Sequence, residues 1–446
     1  MRFTIAFIFI ALLSSTVISQ DAKEILAIAN GREYTSQDLS PNVANAWLKL
    51  DATLASARKA LLDRQIENTL LELGAAEQKL SRQKFLDQEV KNKVRNPSED
   101  QIKSVYEANR QDLGSATLEQ VKPQIISYLR KEPEKRAYSE LMKSLREKNP
   151  VAFRNDVRKT DLKPTDALAI VGAKLITSAD FEKKNGLVLY EYKANLHDQL
   201  SSSLKQAIDA ALYAEEALSL GISTSKFVAR EITDRMEVYS VVQQQRLQEA
   251  LRDRLYKKYR VRIFLKAPEV FIQNVSLDDD PFTGTADAPI SVVMFTDFQC
   301  PACAATYPVL KSVIAEFGSM VRLTVRDFPL TGIHDNAFNA ARAANAANKQ
   351  GKYFQYKELL YKNQDALDNK SLMKLAAKIG LDRKRFESDF YDKKSSDEVL
   401  KDMKDGESYG VSGTPTVFVN GVRVRALSVT AFREAIKNAM PGKVRK

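Results

Sequence analysis

The only two cysteines of this 446-residue chain lie three positions apart, in Cys300-Pro301-Ala302-Cys303. A strongly apolar run, Ile290-Ser-Val292-Val293-Met294-Phe295, precedes them, and helix-forming residues from Ala304 to Val313 follow. Strand, Cys-x-x-Cys, helix is an order with chemical meaning. It puts Cys300 at a helix N-terminus, where unpaired N–H groups and the helix dipole favour an anion. The thiolate is the reacting form of cysteine, so a lowered pKa raises the reactive fraction at neutral pH. Cys303, one turn on, is placed to attack a mixed disulfide formed at Cys300. Two other uses of the pair stand beside dithiol–disulfide exchange. One is a structural bridge. The other is a zinc half-site, which needs two more ligands when His197 and His334 are the only histidines. Redox chemistry is the favoured reading, with no metal and no cofactor.

The elements that must position the pair are legible around it. Ala267-Pro268 marks a linker and Glu269 to Val275 reads as a first strand. Asp278-Asp279-Asp280-Pro281 reads as a solvated turn, because the alternating ligand spacing of a calcium loop is absent. Far downstream, Gly410 to Gly421 reads as a loop, a strand and a hairpin turn at Asn420-Gly421.

Residues 269–440 resemble the DsbA-like thiol–disulfide oxidoreductases. The resemblance rests on "FTDFQCPAC", "RDFPLTGIHDNAFNAARAANAANKQGKYFQYKELLYKNQ", "AAKIGLD" and "GVSGTPTVFVNG". It implies an α/β thioredoxin-like domain with a helical insertion, over residues 267–446. It also implies protein-disulfide oxidoreductase activity, with a cis proline, Pro415, facing the cysteines and Thr414 and Pro415 aligning the substrate strand. His334 matches a histidine common in the central block, expected to pack and hydrogen-bond at a helix start; proton transfer is the alternative.

Two departures matter. Many thioredoxin-fold enzymes carry a buried acid six positions before the first cysteine, where this chain has Met294. Asp297, three before Cys300, either substitutes for it or caps. Strongly oxidising members carry histidine where Ala302 stands, so a weaker oxidant is expected.

Upstream the chain repeats. Leu26 to Leu39 reads LAIANGREYTSQDL, and Leu168 to Phe181 reads LAIVGAKLITSADF, six identities in fourteen at an offset of 142. The offset continues through Ile66/Ile208, Leu70/Leu212, Ser81/Ser223 and Phe85/Phe227. Two copies of one module follow, residues 20–160 and 161–266. Each opens with a short strand (Ile25 to Ala29, Leu168 to Gly172) and a Thr-Ser-x-Asp helix start, and continues into leucine-rich helices. Each closes with a strand, at Val151 to Phe153 and Val261 to Leu265.

With "PSEDQIKSVYEANR", this pattern resembles the N-terminal chaperone domains of the SurA and trigger-factor type. The resemblance implies two mainly α modules that hold unfolded polypeptide. Asn109 to Asp112 runs almost directly into the helix at Leu118, leaving no room for a parvulin domain, so prolyl isomerase activity is not expected.

Composition bounds the rest. The apolar fraction is 44% and the charged fraction 28%, which excludes a wholly disordered chain. Residues 267–446 carry 25 Lys/Arg and 22 Asp/Glu, so +3 of the net +11 lies there. The remainder is spread over helices without interleaved aromatics, which gives nucleic-acid binding little support.

Arg2, the apolar run Phe3 to Leu13, and Val17 and Ser19 have the layout of a cleaved secretory signal, residues 1–19. Beyond it no run approaches the ~18 apolar residues of a membrane span, so no stable membrane insertion is expected. The expectation is a periplasmic disulfide oxidase or isomerase with a chaperone arm. Its clients would be unfolded or reduced exported proteins, and it would need a redox partner. A homodimer is compatible with this. The alternative is a periplasmic holdase whose thioredoxin domain mainly docks clients.

Overall fold

The computed structural model describes residues 24–237 and 241–442. The segment read as a secretory signal lies outside the described residues. Along the chain come β1 (Ala27–Ala29), β2 (Arg32–Tyr34), α1 (Pro41–Leu48), α2 (Leu50–Glu77) and α3 (Arg82–Leu86), which leads into a π-helical turn, Asp87–Lys91. Then follow α4 (Glu99–Ala108), α5 (Leu118–Lys148), β3 (Val151–Phe153), β4 (Ala167–Val171), β5 (Lys174–Thr177), α6 (Ser178–Ser219), α7 (Thr224–Glu231), α8 (Val241–Lys258) and β6 (Arg262–Ile263). This N-terminal part is largely helical.

Positions matched by the repeat do the same local work. Thr35 and Thr177 each donate their backbone N–H to the aspartate three residues on, Asp38 at 2.8 Å and Asp180 at 3.0 Å. Ser81 and Ser223 each accept the N–H of the lysine three residues on, satisfying an orphan donor of the next helix. Phe85 and Phe227 are both buried.

The strands pair in a way the repeat does not announce. β1 pairs with β2 and with β6, while β4 pairs with β3 and with β5. The strand that closes each module thus completes the sheet opened by the other. Compact units cut across the boundary at 160: one holds residues up to Ser56 with Glu191–Pro268, the other Ala57–Tyr190 with Glu269–Lys446. The first unit packs Leu26, Tyr34, Leu200, Leu204, Phe227 and Leu255 into one core. In the second, α2 and α5 approach closely at Gly74, where a Cβ would lie 2.7 Å from Leu145 and Phe85 atoms.

The C-terminal part of that second unit contains β7 (Phe282–Gly284), β8 (Ile290–Thr296), α9 (Pro301–Ala315) and β9 (Val321–Asp327). Five helices follow: α10 (Ala337–Asn348), α11 (Tyr353–Lys362), α12 (Asn369–Lys378), α13 (Arg383–Tyr391) and α14 (Lys393–Ser408). The chain returns to the sheet with β10 (Thr416–Val419) and β11 (Val422–Arg423), then ends in α15 (Val429–Asn438). The strand order is β11-β10-β8-β9-β7, with β8 parallel to β9 and the other pairs antiparallel.

Both faces of β8 are covered, which is why its sequence is apolar without alternation. Ile290, Val292 and Met294 join a core with Leu310, Val313 and the alanines of α10. Val293 and Phe295 join another with Phe328, Val411 and Phe418. Each such side chain contributes roughly 1.5–3 kcal/mol on burial. Asn420 (φ 44°) and Gly421 (φ 77°) make the tight turn expected between β10 and β11.

Two sequence expectations fail here. Glu269 to Val275 is not a strand; at that edge the neighbouring β11 is only two residues long, and a single ladder-like bond forms, from Gln273 N–H to Gly421 O at 2.8 Å. The aspartate turn is not simply solvated. Asp280 is buried and lies 2.8 Å from Arg326 Nε on β9. Arg326 is fully buried and also meets Asp402 (2.5 Å) and Asp405 (2.9 Å) of α14. Such a network holds α14 against the sheet only while all its charges stay paired.

Candidate active site

Cys300 is the N-cap residue of α9, with Pro301 at the first helical position, where a missing N–H costs nothing. Cys300 is 7% exposed and Cys303 0%. The Cys303 thiol donates to the Cys300 sulfur, and this bond is the largest of the effects holding the Cys300 pKa down to about 5. Burial opposes the shift; the backbone N–H groups of Cys303 and Ala302 add to it. This is the helix N-terminus acting on an anion. Cys303 is pushed the other way, up, chiefly by burial and then by its bond to Cys300. The two thiols are thus divided into one that ionises readily and one that holds its proton.

Opposite them lies the loop before β10. The Thr414–Pro415 peptide bond is cis, and the Thr414 carbonyl oxygen lies 3.4 Å from Cys300 Sγ, accepting from it only when the thiol holds its proton. Thr414 and Pro415 are half-buried, so this face is open to a ligand, whereas Pro301 and Ala302 are exposed at the rim. Asp297 is buried behind the pair. Its Oδ1 accepts from Gln299 N–H at 2.7 Å; its Oδ2 accepts from Leu330 N–H and meets His334 Nδ1, both at 2.8 Å. Both residues therefore tie the cysteine loop to the segment after β9, which is capping and packing geometry. Met294 is fully buried and places no acid beneath the cysteines.

Several residues of the site escape sequence reasoning. Gln364 Nε2 donates to the carbonyls of Phe298 and Cys300, both at 2.9 Å, and so fixes the turn into α9. Thr296 Oγ1 and Tyr361 OH are 2.5 Å apart. Lys357 on α11 is 0% exposed, and its Nζ has no hydrogen-bond partner. The signal for it was present: Tyr353, Tyr356, Lys357 and Leu360 share one buried helical stripe, so a charged residue occupies a core position.

Among the described residues, Asp278, Glu398 and Asp402 bring carboxylate oxygens within 4.8 Å of one another. Arg326 lies against Asp402, and Lys401 against Asp278 and Glu398, so each of these carboxylates already has a cation of the chain as partner.

Residues 276–438 match a family model described as Thioredoxin. The C-terminal part of the chain is a thioredoxin-like domain. Solved structures similar to this part of the chain include a thioredoxin-like oxidoreductase from Silicibacter pomeroyi, 24% identical, covering 36% of this chain and 92% of that one, TM-score 0.34. Oxidised BdbD from Bacillus subtilis is 21% identical over 39% of this chain and 100% of that one, TM-score 0.35. Among curated proteins, the Na(+)/H(+) antiporter NhaA 3 of Salinispora tropica is 36% identical over 190 residues, 42% of this chain and 29% of that protein. NhaA 1 of Mycolicibacterium vanbaalenii is 34% identical over 171 residues, 37% of this chain and 28% of that protein. The chain thus spans less than a third of the length of these curated relatives. Among the described residues, no helix is long and apolar enough to cross a membrane.

Proposed function

We propose that this protein is an exported thiol–disulfide oxidoreductase acting on unfolded polypeptides, with Cys300 as nucleophile and Cys303 as resolving thiol. One arrangement carries the reading: Cys300 caps α9 beside the buried Cys303 and 3.4 Å from the Thr414 carbonyl, with its pKa held down and that of Cys303 pushed up. A domain that only docks clients has no use for two thiols divided in this way.

In the reductive direction, the Cys300 thiolate attacks one sulfur of a client disulfide. That S–S bond breaks, a Cys300–client disulfide forms, and the other client sulfur leaves as a thiolate. Cys303, having lost its proton, attacks the Cys300 sulfur, and the second client sulfur leaves. The client has gained two electrons and the cysteine pair has lost them. Run backwards, the same steps oxidise a client dithiol. Thr414 and Pro415 align the client backbone. Asp297, His334 and Gln364 hold the loop in register. The export reading rests on residues 1–19 and on the compartments where disulfides persist. The client-holding role of residues 20–266 rests on the repeat.

The test is exchange with a reduced unfolded polypeptide in a redox buffer. Activity abolished by Cys300→Ala supports the proposal, and an inactive wild-type chain overturns it.

A further inference from the structure

Resolution requires Cys303 to lose a proton, and the buried Asp297 nearby already spends both carboxylate oxygens on Gln299, Leu330 and His334. Cys303 is fully buried, and Met294 fills the neighbouring strand position with an apolar side chain. Lys357 is the buried titratable group whose role the exchange steps leave unused. Its amine is held by aromatic faces: Tyr307 at 2.8 Å from the ring centroid, Phe354 at 5.3 Å and Tyr361 at 5.7 Å. Tyr307 stands one turn beyond Cys303 on the same buried face of α9. Tyr361 OH lies 2.5 Å from Thr296 Oγ1, and the Thr296 side chain is among the groups that favour the Cys303 thiolate. The two tyrosines therefore link the amine to the helix that carries the resolving thiol and to Thr296.

We infer that Lys357 is the base that receives the Cys303 proton when the mixed disulfide is resolved. This deepens the exchange reading and rests on it. The proton of Cys303 ends on the neutral Lys357 amine, whose side chain leaves the Tyr307 ring to accept it. The thiolate formed attacks Cys300, and the client sulfur leaves. The ammonium then releases its proton to solvent, and the client thiolate takes one up. In the oxidative direction the amine first takes up a proton from solvent, Cys303 leaves as a thiolate, and Lys357 returns that proton to it.

An amine without hydrogen-bond partners suits this role, because burial holds Lys357 well below the ordinary lysine range. The charges around it are few. Glu358 on α11 favours the ammonium and Lys311 on α9 opposes it, but these two are paired with each other at 2.8 Å. The Cys303 thiolate favours the ammonium, as a proton donor's conjugate should. Tyr307 and Tyr361 stay neutral, their pKa values raised by burial.

Stopped-flow reaction of the reduced full chain with oxidised glutathione tests this. It gives two releases of glutathione, the first from attack by Cys300 and the second from resolution by Cys303. Lys357→Met is expected to slow the second release at least tenfold at pH 7, with the gap closing as pH rises. Alkylation of Cys300 by iodoacetamide should change less than twofold. Should the Met variant not fold, Lys357→Gln is read in the same way. An unchanged second release, or a slowing equal at every pH with altered Cys300 alkylation, would overturn the assignment while leaving the exchange reading intact. A wild-type chain that releases no glutathione would remove both.

Discussion

The sulfur of Cys300 lies 3.4 Å from the carbonyl oxygen of Thr414, a residue 114 positions further along the chain. Six helices, α9 to α14, and strand β9 lie between the two, and the sheet brings them together because β10 lies antiparallel beside β8. An incoming client sulfur and the backbone strand that carries it can thus be held at one place.

The depressed Cys300 pKa has a direct readout. Alkylation of the reduced chain by iodoacetamide should show a midpoint near pH 5 and a plateau by neutral pH. The sign follows from linkage: a group depressed on folding stabilises the reduced form fully above its ordinary value near 9, and that stabilisation is lost as pH falls through about 5. A midpoint above pH 8 would mean that neither the Cys303 thiol nor the helix terminus acts on Cys300 as described.

Ala302 is exposed beside the thiolate, so histidine there adds a cationic donor. Ala302→His should make the pair more oxidising. A redox-buffer titration resolves the change, since ~30 mV corresponds to about 1.4 kcal/mol in a two-electron couple. An identical potential would show that residue 302 does not act on Cys300.

Asp402→Ala leaves Arg326 buried without its nearest partner. A loss of about 3–5 kcal/mol in urea-unfolding stability is expected. A loss below about 1 kcal/mol would mean that Asp280 and Asp405 suffice to hold it.

Much of the site was legible because its signals are local. The Cys-x-x-Cys at a strand-to-helix junction, the Asn420-Gly421 turn and the Thr-Ser-x-Asp caps each depend on neighbours a few residues away. What was missed is long-range. The exchange of closing strands between the modules leaves the pattern of β3 and β6 unchanged, because a strand's sequence does not name its partner. Asp280 reads as a turn residue until Arg326 and Asp402 are brought to it. Lys357 reads as a solvated charge unless its place in the apolar stripe of α11 is weighed.

That strand exchange shapes the test of the arm. A cut at residue 266 would separate residues 57–190 from the rest of their compact unit. The full chain with Cys300→Ser and Cys303→Ser is therefore the right probe. It should slow aggregation of an unfolded protein whose own cysteines are blocked, measured by light scattering. No slowing at a tenfold molar excess would mean that the N-terminal modules do not hold clients.

The central claim is that Cys300 attacks and Cys303 resolves. Mass spectrometry of Cys303→Ala and Cys300→Ala full-length chains, each reacted with an unfolded disulfide-containing polypeptide, tests it most directly. The account predicts a mixed disulfide accumulating through Cys300 in the first variant and little or none in the second. Equal trapping by both variants, or trapping by neither, would contradict it.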